Sequence, residues 1–138
     1  MNVYLDTSVI LSRLLNQPNQ LDPWGEWTTC YTSALTRTEF LRTVDRLRLR
    51  GGLSDEERVE LQDQFGLVWG ATHRLALSQH LLDRATAAMP TVLGTLDAIH
   101  LVTALLVAES HRVELAFLTH DQQLATGARA MGLEAIGV

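Results

Sequence analysis

Short β-rich apolar runs alternate with longer stretches of helical period along this chain, and that alternation narrows the possible folds more than any other property. Val3-Tyr4-Leu5 reads as a strand. Val9, Ile10, Arg13 and Leu14 give the segment Thr7 to Asn16 a helical spacing before the turn formers Pro18, Asn19, Asp22, Pro23 and Gly25. Thr28 to Ser33 reads as a second strand. Leu35 to Arg50 is expected to be helical from the spacing of Phe40, Leu41, Val44 and Leu47, with Gly51-Gly52 ending it. Ser54 and Glu57 have the spacing of a capping box, which predicts a third helix running to about Phe65. Leu75 to Ala88 has a helical pattern that stops at Pro90. Thr95 is placed to cap a helix from Leu96 to about Ser110, and Leu115 to Thr119 reads as a strand. Asp121 to Met131 then reads as a helix stopped by Gly132, with Glu134 to Val138 as a last strand. Strands interleaved with helices in this way imply an α/β fold with a mostly parallel central sheet. No repeat, low-complexity tract or long linker interrupts the 138 residues, so one domain over 1–138 is expected.

Open parallel sheets place their sites beyond the carboxyl ends of the strands. Asp6 follows the first strand directly, and Asp121 follows Leu115 to Thr119 with one residue between, so both carboxylates are expected on one rim. Either could also cap the helix it precedes. Asp97 opens the segment Leu96 to Ala108, where only Asp97 and His100 titrate and apolar residues occupy every side of the helical wheel. Such a helix is buried. The helix dipole favours an acid on the first turn, yet an acid beside a buried helix also needs a cation, a set of donors or a proton. His100, one turn on, is placed to orient Asp97 or hold water, or to be a satisfied structural histidine. On the second helix Glu39, Thr43, Arg46 and Arg50 share a stripe at about 100° per residue, away from the Phe40/Val44/Leu47 face. That stripe is either a solvated face, with Glu39 paired to Arg42 or Arg46, or a carboxylate with phosphate clamps behind it.

Sixteen acidic residues against eleven basic ones give a net charge of −5, which taken globally does not point to a nucleic-acid partner. Every basic residue is arginine, however, and Arg37, Arg42, Arg46, Arg48 and Arg50 form a local patch whose guanidinium groups match phosphate geometry. The single cysteine, Cys30, excludes an internal disulfide and a cysteine-rich zinc site and suits a reducing compartment, so the cytoplasm is expected. Neither a secretion signal nor a membrane-spanning run of about 18 apolar residues is present in the pattern.

Four segments, in order and at their spacing, carry a resemblance. They are Tyr4-Leu5-Asp6-Thr7-Ser8-Val9-Ile10, Thr36-Arg37-Thr38-Glu39-Phe40-Leu41-Arg42, Leu96-Asp97-Ala98-Ile99-His100-Leu101-Val102-Thr103-Ala104 and Phe117-Leu118-Thr119-His120-Asp121-Gln122-Gln123-Leu124. Together they resemble the PIN-domain ribonucleases, in particular the VapC-type toxins of bacterial toxin–antitoxin modules, over nearly the whole chain. The resemblance implies a PIN-like three-layer α/β/α fold and a metal-dependent endoribonuclease. It implies that Asp6, Glu39, Asp97 and Asp121 form the active site and bind Mg²⁺ or Mn²⁺. It also implies a homodimer, inhibition by a cognate antitoxin, and RNA products ending in a 3′-hydroxyl and a 5′-phosphate. The segment Ser54 to Met89 carries no motif of that family.

Oxygen ligands without a cysteine or histidine cluster favour Mg²⁺ or Mn²⁺ over zinc, in keeping with the resemblance. Within that reading Asp6 and Asp97 are direct metal ligands, Asp121 and Glu39 additional or water-mediated ones, and Arg46 and Arg50 phosphate contacts. A phosphoacceptor receiver would use a lysine, and this chain has none. An aspartyl phosphohydrolase would carry a second acid two residues after Asp6, where Ser8 stands. A non-catalytic binding domain that keeps the acidic rim and acts through a protein partner stays open as the alternative.

Overall fold

The computed structural model describes residues 1–138 and places β1 (Asn2–Leu5) at the centre of an all-parallel sheet. On one side β1 pairs with β2 (Thr29–Ser33), Val3 opposite Cys30, and β2 pairs with β3 (His73–Leu75). On the other it pairs with β4 (Leu115–Leu118), Val3 opposite Ala116, and β4 pairs with β5 (Glu134–Ile136). The order is therefore β3-β2-β1-β4-β5.

Side chains alternate across a strand, so each face of the sheet is written into the sequence at every second position. Val3, Leu5, Cys30, Ala116 and Leu118 face one way, onto Val9 and Ile10 of α1 (Thr7–Leu14), Phe40 and Val44 of α2 (Leu35–Leu49), and Leu61 and Phe65 of α3 (Asp55–Gly70). Tyr4, Tyr31, Leu115 and Phe117 face the other way, onto Leu101, Ala104 and Leu105 of α5 (Thr95–His111) and Leu124 and Ala128 of α6 (Gln122–Ala130). Helices on both faces make the three layers. Cys30 lies in the first of these cores, where burial pushes its thiol up to about 12 and leaves it unreactive.

Most elements lie within a residue or two of the sequence reading, and the differences have local causes. The Ser54 capping box forms, Ser54 Oγ accepting from Glu57 N–H at 3.1 Å and Glu57 Oε1 accepting from Ser54 N–H at 3.0 Å. The helix it starts runs beyond Phe65 to Gly70, because Val68 and Trp69 extend its apolar face onto the same core. The expected helix from Leu75 to Ala88 is not one element. Leu75 closes the edge strand β3, its carbonyl accepting from Ala34 N–H at 2.8 Å, and only α4 (Gln79–Arg84) is helical, capped by the Ser78 hydroxyl. Gly94, not Thr95, is the N-cap of α5.

The connections out of β1 and β4 leave toward opposite faces, α1 to one and α6 to the other. The carboxyl ends of these two neighbours are the switch point at which an open α/β sheet forms its crevice. No helix is long and apolar enough to cross a membrane.

Candidate active site

Asp6 leaves β1 at the crevice and is only 6 % exposed. It caps α1 through Oδ1, which accepts from Thr7 N–H at 2.8 Å. Its Oδ2 accepts from the Ser8 hydroxyl at 2.5 Å and the Thr119 hydroxyl at 2.8 Å. Those hydroxyls in turn accept backbone N–H groups from the β4–α6 turn, His120 N–H onto Ser8 at 3.0 Å and Asp121 N–H onto Thr119 at 3.0 Å. Asp6 is thus tied to the loop that delivers Asp121. A second tie closes the loop: His120 Nδ1–H donates to the Gly137 carbonyl at 2.7 Å. Gly137 has φ +111, and a Cβ there would stand 2.5 Å from the Thr119 carbonyl oxygen, so only glycine fits.

Glu39 reaches the crevice from the second turn of α2. Its Oε1 accepts from the Thr7 hydroxyl at 2.6 Å and from His100 Nε2 at 2.6 Å. The solvated-face alternative, Glu39 paired with Arg42 or Arg46, does not form, since Arg42 bonds Asp45 at 2.9 Å and Arg46 bonds the Thr43 hydroxyl at 3.2 Å. Burial alone would raise the Glu39 carboxyl, but the His100 hydrogen bond and charge and the Thr7 hydroxyl outweigh it and hold the group below the usual carboxylate range. His100 itself is 1 % exposed. Its Nδ1 lies 2.7 Å from the Tyr4 hydroxyl, and its Nε2 also faces Asp6 Oδ1 at 3.6 Å. Burial would lower this imidazole, yet the Glu39 hydrogen bond and the charges of Asp6, Glu39 and Asp97 together raise it above its ordinary value.

Asp97 and Asp121 are held more lightly. Asp121 caps α6 through Oδ1, accepting from Leu124 N–H at 2.8 Å, and its other oxygen makes no hydrogen bond within the chain. Asp97 stands in the first turn of α5 without a side-chain partner. Partial burial and the charges of Asp121 and Asp6 push it above the usual carboxylate range, against the pull of His100 and of Gly94 N–H.

All four acids line one cleft of about 420 Å³, together with Thr7, Ser8, Thr38 and Thr43, the apolar Leu11, Leu35 and Leu96, and the cations Arg42 and Arg46. Of the two arginines expected to contact phosphate, Arg46 lines the cleft and Arg50 does not. Arg50 is the C-cap of α2, one turn beyond Arg46, where the helix has run past the cleft. Arg42, a member of the arginine patch, also lines the cleft. Capping therefore does not exclude a site role: Asp6 and Asp121 each cap with one oxygen and turn the cleft into an acidic rim with the rest of the carboxylate.

The acids share the cleft without forming a ready-made three-ligand metal site. The donor set nevertheless fits a hard divalent cation. Apart from two guanidinium groups, which cannot ligate a cation, the polar side chains lining the space are carboxylates and hydroxyls, and Asp97 carries repulsion from Asp6 and Asp121 that a cation would relieve.

The PIN domain family matches residues 3–129 of this chain. The chain is a PIN domain. It is 31 % identical over 137 residues to Ribonuclease VapC47 of Mycobacterium tuberculosis, covering 94 % of this chain and 92 % of that one. Among solved structures, a toxin–antitoxin complex from Klebsiella pneumoniae superposes with a TM-score of 0.65 at 17 % identity, over 97 % of this chain and 95 % of that one. VapBC2 from Rickettsia felis, bound to a DNA fragment from its promoter, gives 0.61 at 13 % identity, over 99 % and 98 %. At such identities these two establish the fold. Within the PIN domain, sequence reasoning missed Tyr4, Thr7, Ser8 and Thr119 as parts of the site. The signal for the last three was their hydroxyls, set beside the acids in Asp6-Thr7-Ser8 and Thr119-His120-Asp121.

Proposed function

We propose that this PIN domain is an endoribonuclease toxin that hydrolyses RNA phosphodiester bonds with Mg²⁺ or Mn²⁺ at Asp6, Glu39, Asp97 and Asp121, and that a cognate antitoxin inhibits it. The observation that carries the reading is the arrival of four acids from four separate elements in one cleft that also holds Arg42 and Arg46. The likeness to a chain named a ribonuclease supports the activity, and the likeness to chains solved in toxin–antitoxin complexes supports the partner.

A divalent ion, when bound, would lower the pKa of a water and stabilise charge on the phosphate. The chain's own contribution is orientation and charge. Arg46, bonded only to Thr43, offers guanidinium N–H groups to a phosphate oxygen from the wall beside Glu39. Leu11, Leu35 and Leu96 narrow the cleft with apolar surface, which limits bulk water around the acids. Ser8 and Thr119 keep Asp6 and the Asp121 loop in one register. Asp6 and Asp97 are the direct ligands in this reading, with Asp121 and Glu39 as additional or water-mediated ones. The products carry a 3′-hydroxyl and a 5′-phosphate, the toxin works as a homodimer, and its free Cys30 suits the cytoplasm.

Purified protein should cleave single-stranded RNA with Mg²⁺ or Mn²⁺ and stop in chelator, with new 5′-phosphate ends mapped by sequencing. Expression without an antitoxin should arrest growth, and Asp97→Ala at equal protein level should not. Arrest that persists in the Asp97→Ala strain would favour instead a binding domain acting through a protein partner.

A further inference from the structure

His100, 1 % exposed, lies directly behind Glu39 of the cleft wall, and each neighbour of its Nε2 is an acceptor. Glu39 Oε1 lies at 2.6 Å and Asp6 Oδ1 at 3.6 Å. The Thr7 hydroxyl lies at 3.4 Å from Nε2, but its proton is given to Glu39 Oε1 at 2.6 Å, so it turns only lone pairs toward the ring. Nε2 must therefore carry a proton. The other nitrogen, Nδ1, meets the Tyr4 hydroxyl at 2.7 Å, and a hydroxyl serves there in either state of the ring. It donates to a bare Nδ1 and accepts from a protonated one. Tyr4 is itself immobile, fully buried and stacked on Phe117 with ring centroids 5.1 Å apart.

The consequence falls on Glu39. With Oε1 occupied by both Thr7 and His100, the carboxylate is locked and presents the cleft with Oε2 alone. We infer that His100, aligned by Tyr4, is a positioning residue that fixes Glu39 as a one-oxygen ligand and does not act on Asp97, its neighbour one helical turn away. The inference deepens the nuclease reading above and rests on it for the identity of the ion. Partners of this kind behind a metal-binding group change affinity or activity by about 10- to 100-fold when lost.

Two variants separate positioning from mere structure, because each removes the ring and keeps one of its two contacts. In His100→Gln the amide nitrogen sits as far along the side chain as Nε2 and can still donate to Glu39. In His100→Asn the amide occupies the place of Nδ1, keeps the Tyr4 contact and loses Glu39. The Mn²⁺ concentration for half-maximal RNA cleavage should rise about 10-fold or more in His100→Asn and stay within about 3-fold of the parent in His100→Gln. The Mn²⁺-induced rise in melting temperature, read without substrate, should follow the same order. Equal loss in both variants, or no loss in either, overturns the inference. If the parent cleaves no RNA, the nuclease reading fails while the melting comparison still judges His100. Long-range proton–nitrogen correlation on the ¹⁵N-histidine-labelled parent adds a check that needs no folded His100→Asn protein. It should show His100 protonated at Nε2, and a bare Nε2 overturns the inference.

Discussion

Asp6 and Glu39 form one side of the cleft and Asp97 and Asp121 the other, and the two sides are held together in opposite ways. On the first side each carboxylate accepts short bonds from hydroxyls, a backbone N–H or an imidazole, and Glu39 sits below the usual carboxylate range. On the second, Asp97 has no side-chain partner and is raised by its neighbours' charge, while Asp121 is bonded only as a helix cap. The first side is preorganised by the fold. The second is left with charge that the fold does not neutralise and that a bound cation would relieve. On the proposed function activity should need both sides, whereas the metal-free fold should depend mainly on the first.

The largest effect should appear in activity and should not respect the divide. Asp6→Asn and Asp97→Asn are each expected to lower the cleavage rate in Mn²⁺ by at least about 100-fold, since each removes a proposed ligand itself and not a partner behind it. A rate near that of the parent for either one would remove that acid from the catalytic set.

Stability should then separate the sides in sign. Asp6→Ala strips acceptors from Thr7 N–H, Ser8 and Thr119 in a buried place, with an expected loss of about 2–4 kcal/mol in chelator. Asp97→Asn removes repulsion at a group that is partly open to solvent, so after screening its expected gain is below about 1 kcal/mol. Millimolar Mn²⁺ should stabilise the parent and fail to stabilise Asp97→Asn. Denaturant melts in chelator and in Mn²⁺ read all three, and equal metal-induced shifts in parent and Asp97→Asn would show that Asp97 is only a first-turn helix acid.

The same asymmetry sets how the metal-free protein responds to pH. Asp97 is raised in the folded chain, so its charge weakens the fold as pH rises from the ordinary carboxylate value through its raised one. His100 is raised too, but as a base, so its stabilisation is complete below the ordinary imidazole value and fades as pH rises through the raised one. Glu39 is lowered, and its stabilisation is lost only as pH falls through its depressed value. In chelator, stability should therefore decline from mildly acid toward alkaline pH, and Asp97→Asn should flatten the acid end of that decline. A parent curve that rises over this range would contradict both assignments.

The legible parts of this molecule were those where a local rule and a buried pattern agreed. Asp6 and Asp121 could be placed because they follow buried strands, and Asp97 because it is the one acid in the run Leu96 to Ala108, which is apolar on every side of the wheel, and an acid there needs a cation, donors or a proton. β3 was illegible because its three residues form an exposed edge with no apolar alternation, so the helical pattern from Leu75 onward went unopposed. Tyr4 read only as part of a strand; it is fully buried, and its hydroxyl contact depends on a helix 96 positions away. Helical spacing put Glu39, Arg46 and Arg50 on one stripe, and the first two line the cleft. It carries no information on where along that stripe a cleft ends, and Arg50 fell beyond it.

The smallest expected effect tests that boundary. Both cations of the cleft wall, Arg42 and Arg46, stand on α2 beside Glu39, and none stands on the Asp97 side, so phosphate should be gripped only from the preorganised wall. Arg42 is already shared with Asp45 at 2.9 Å, whereas Arg46 bonds only a neutral hydroxyl and is freer to turn toward a ligand. Each phosphate contact to a single strand contributes about 0.7 to the slope of log affinity against log salt. Arg46→Ala should reduce that slope by about this amount and weaken binding of a non-cleavable RNA in Ca²⁺, with little change in melting temperature because the side chain is exposed. Arg50→Ala, a turn farther along the same stripe, should leave the slope unchanged. An equal reduction in both would mean that RNA follows α2 past the cleft to its C-terminus. An unchanged slope in both would assign Arg46 to the solvated face and leave the phosphate to the opposite, acidic side, where only a bound cation could hold it.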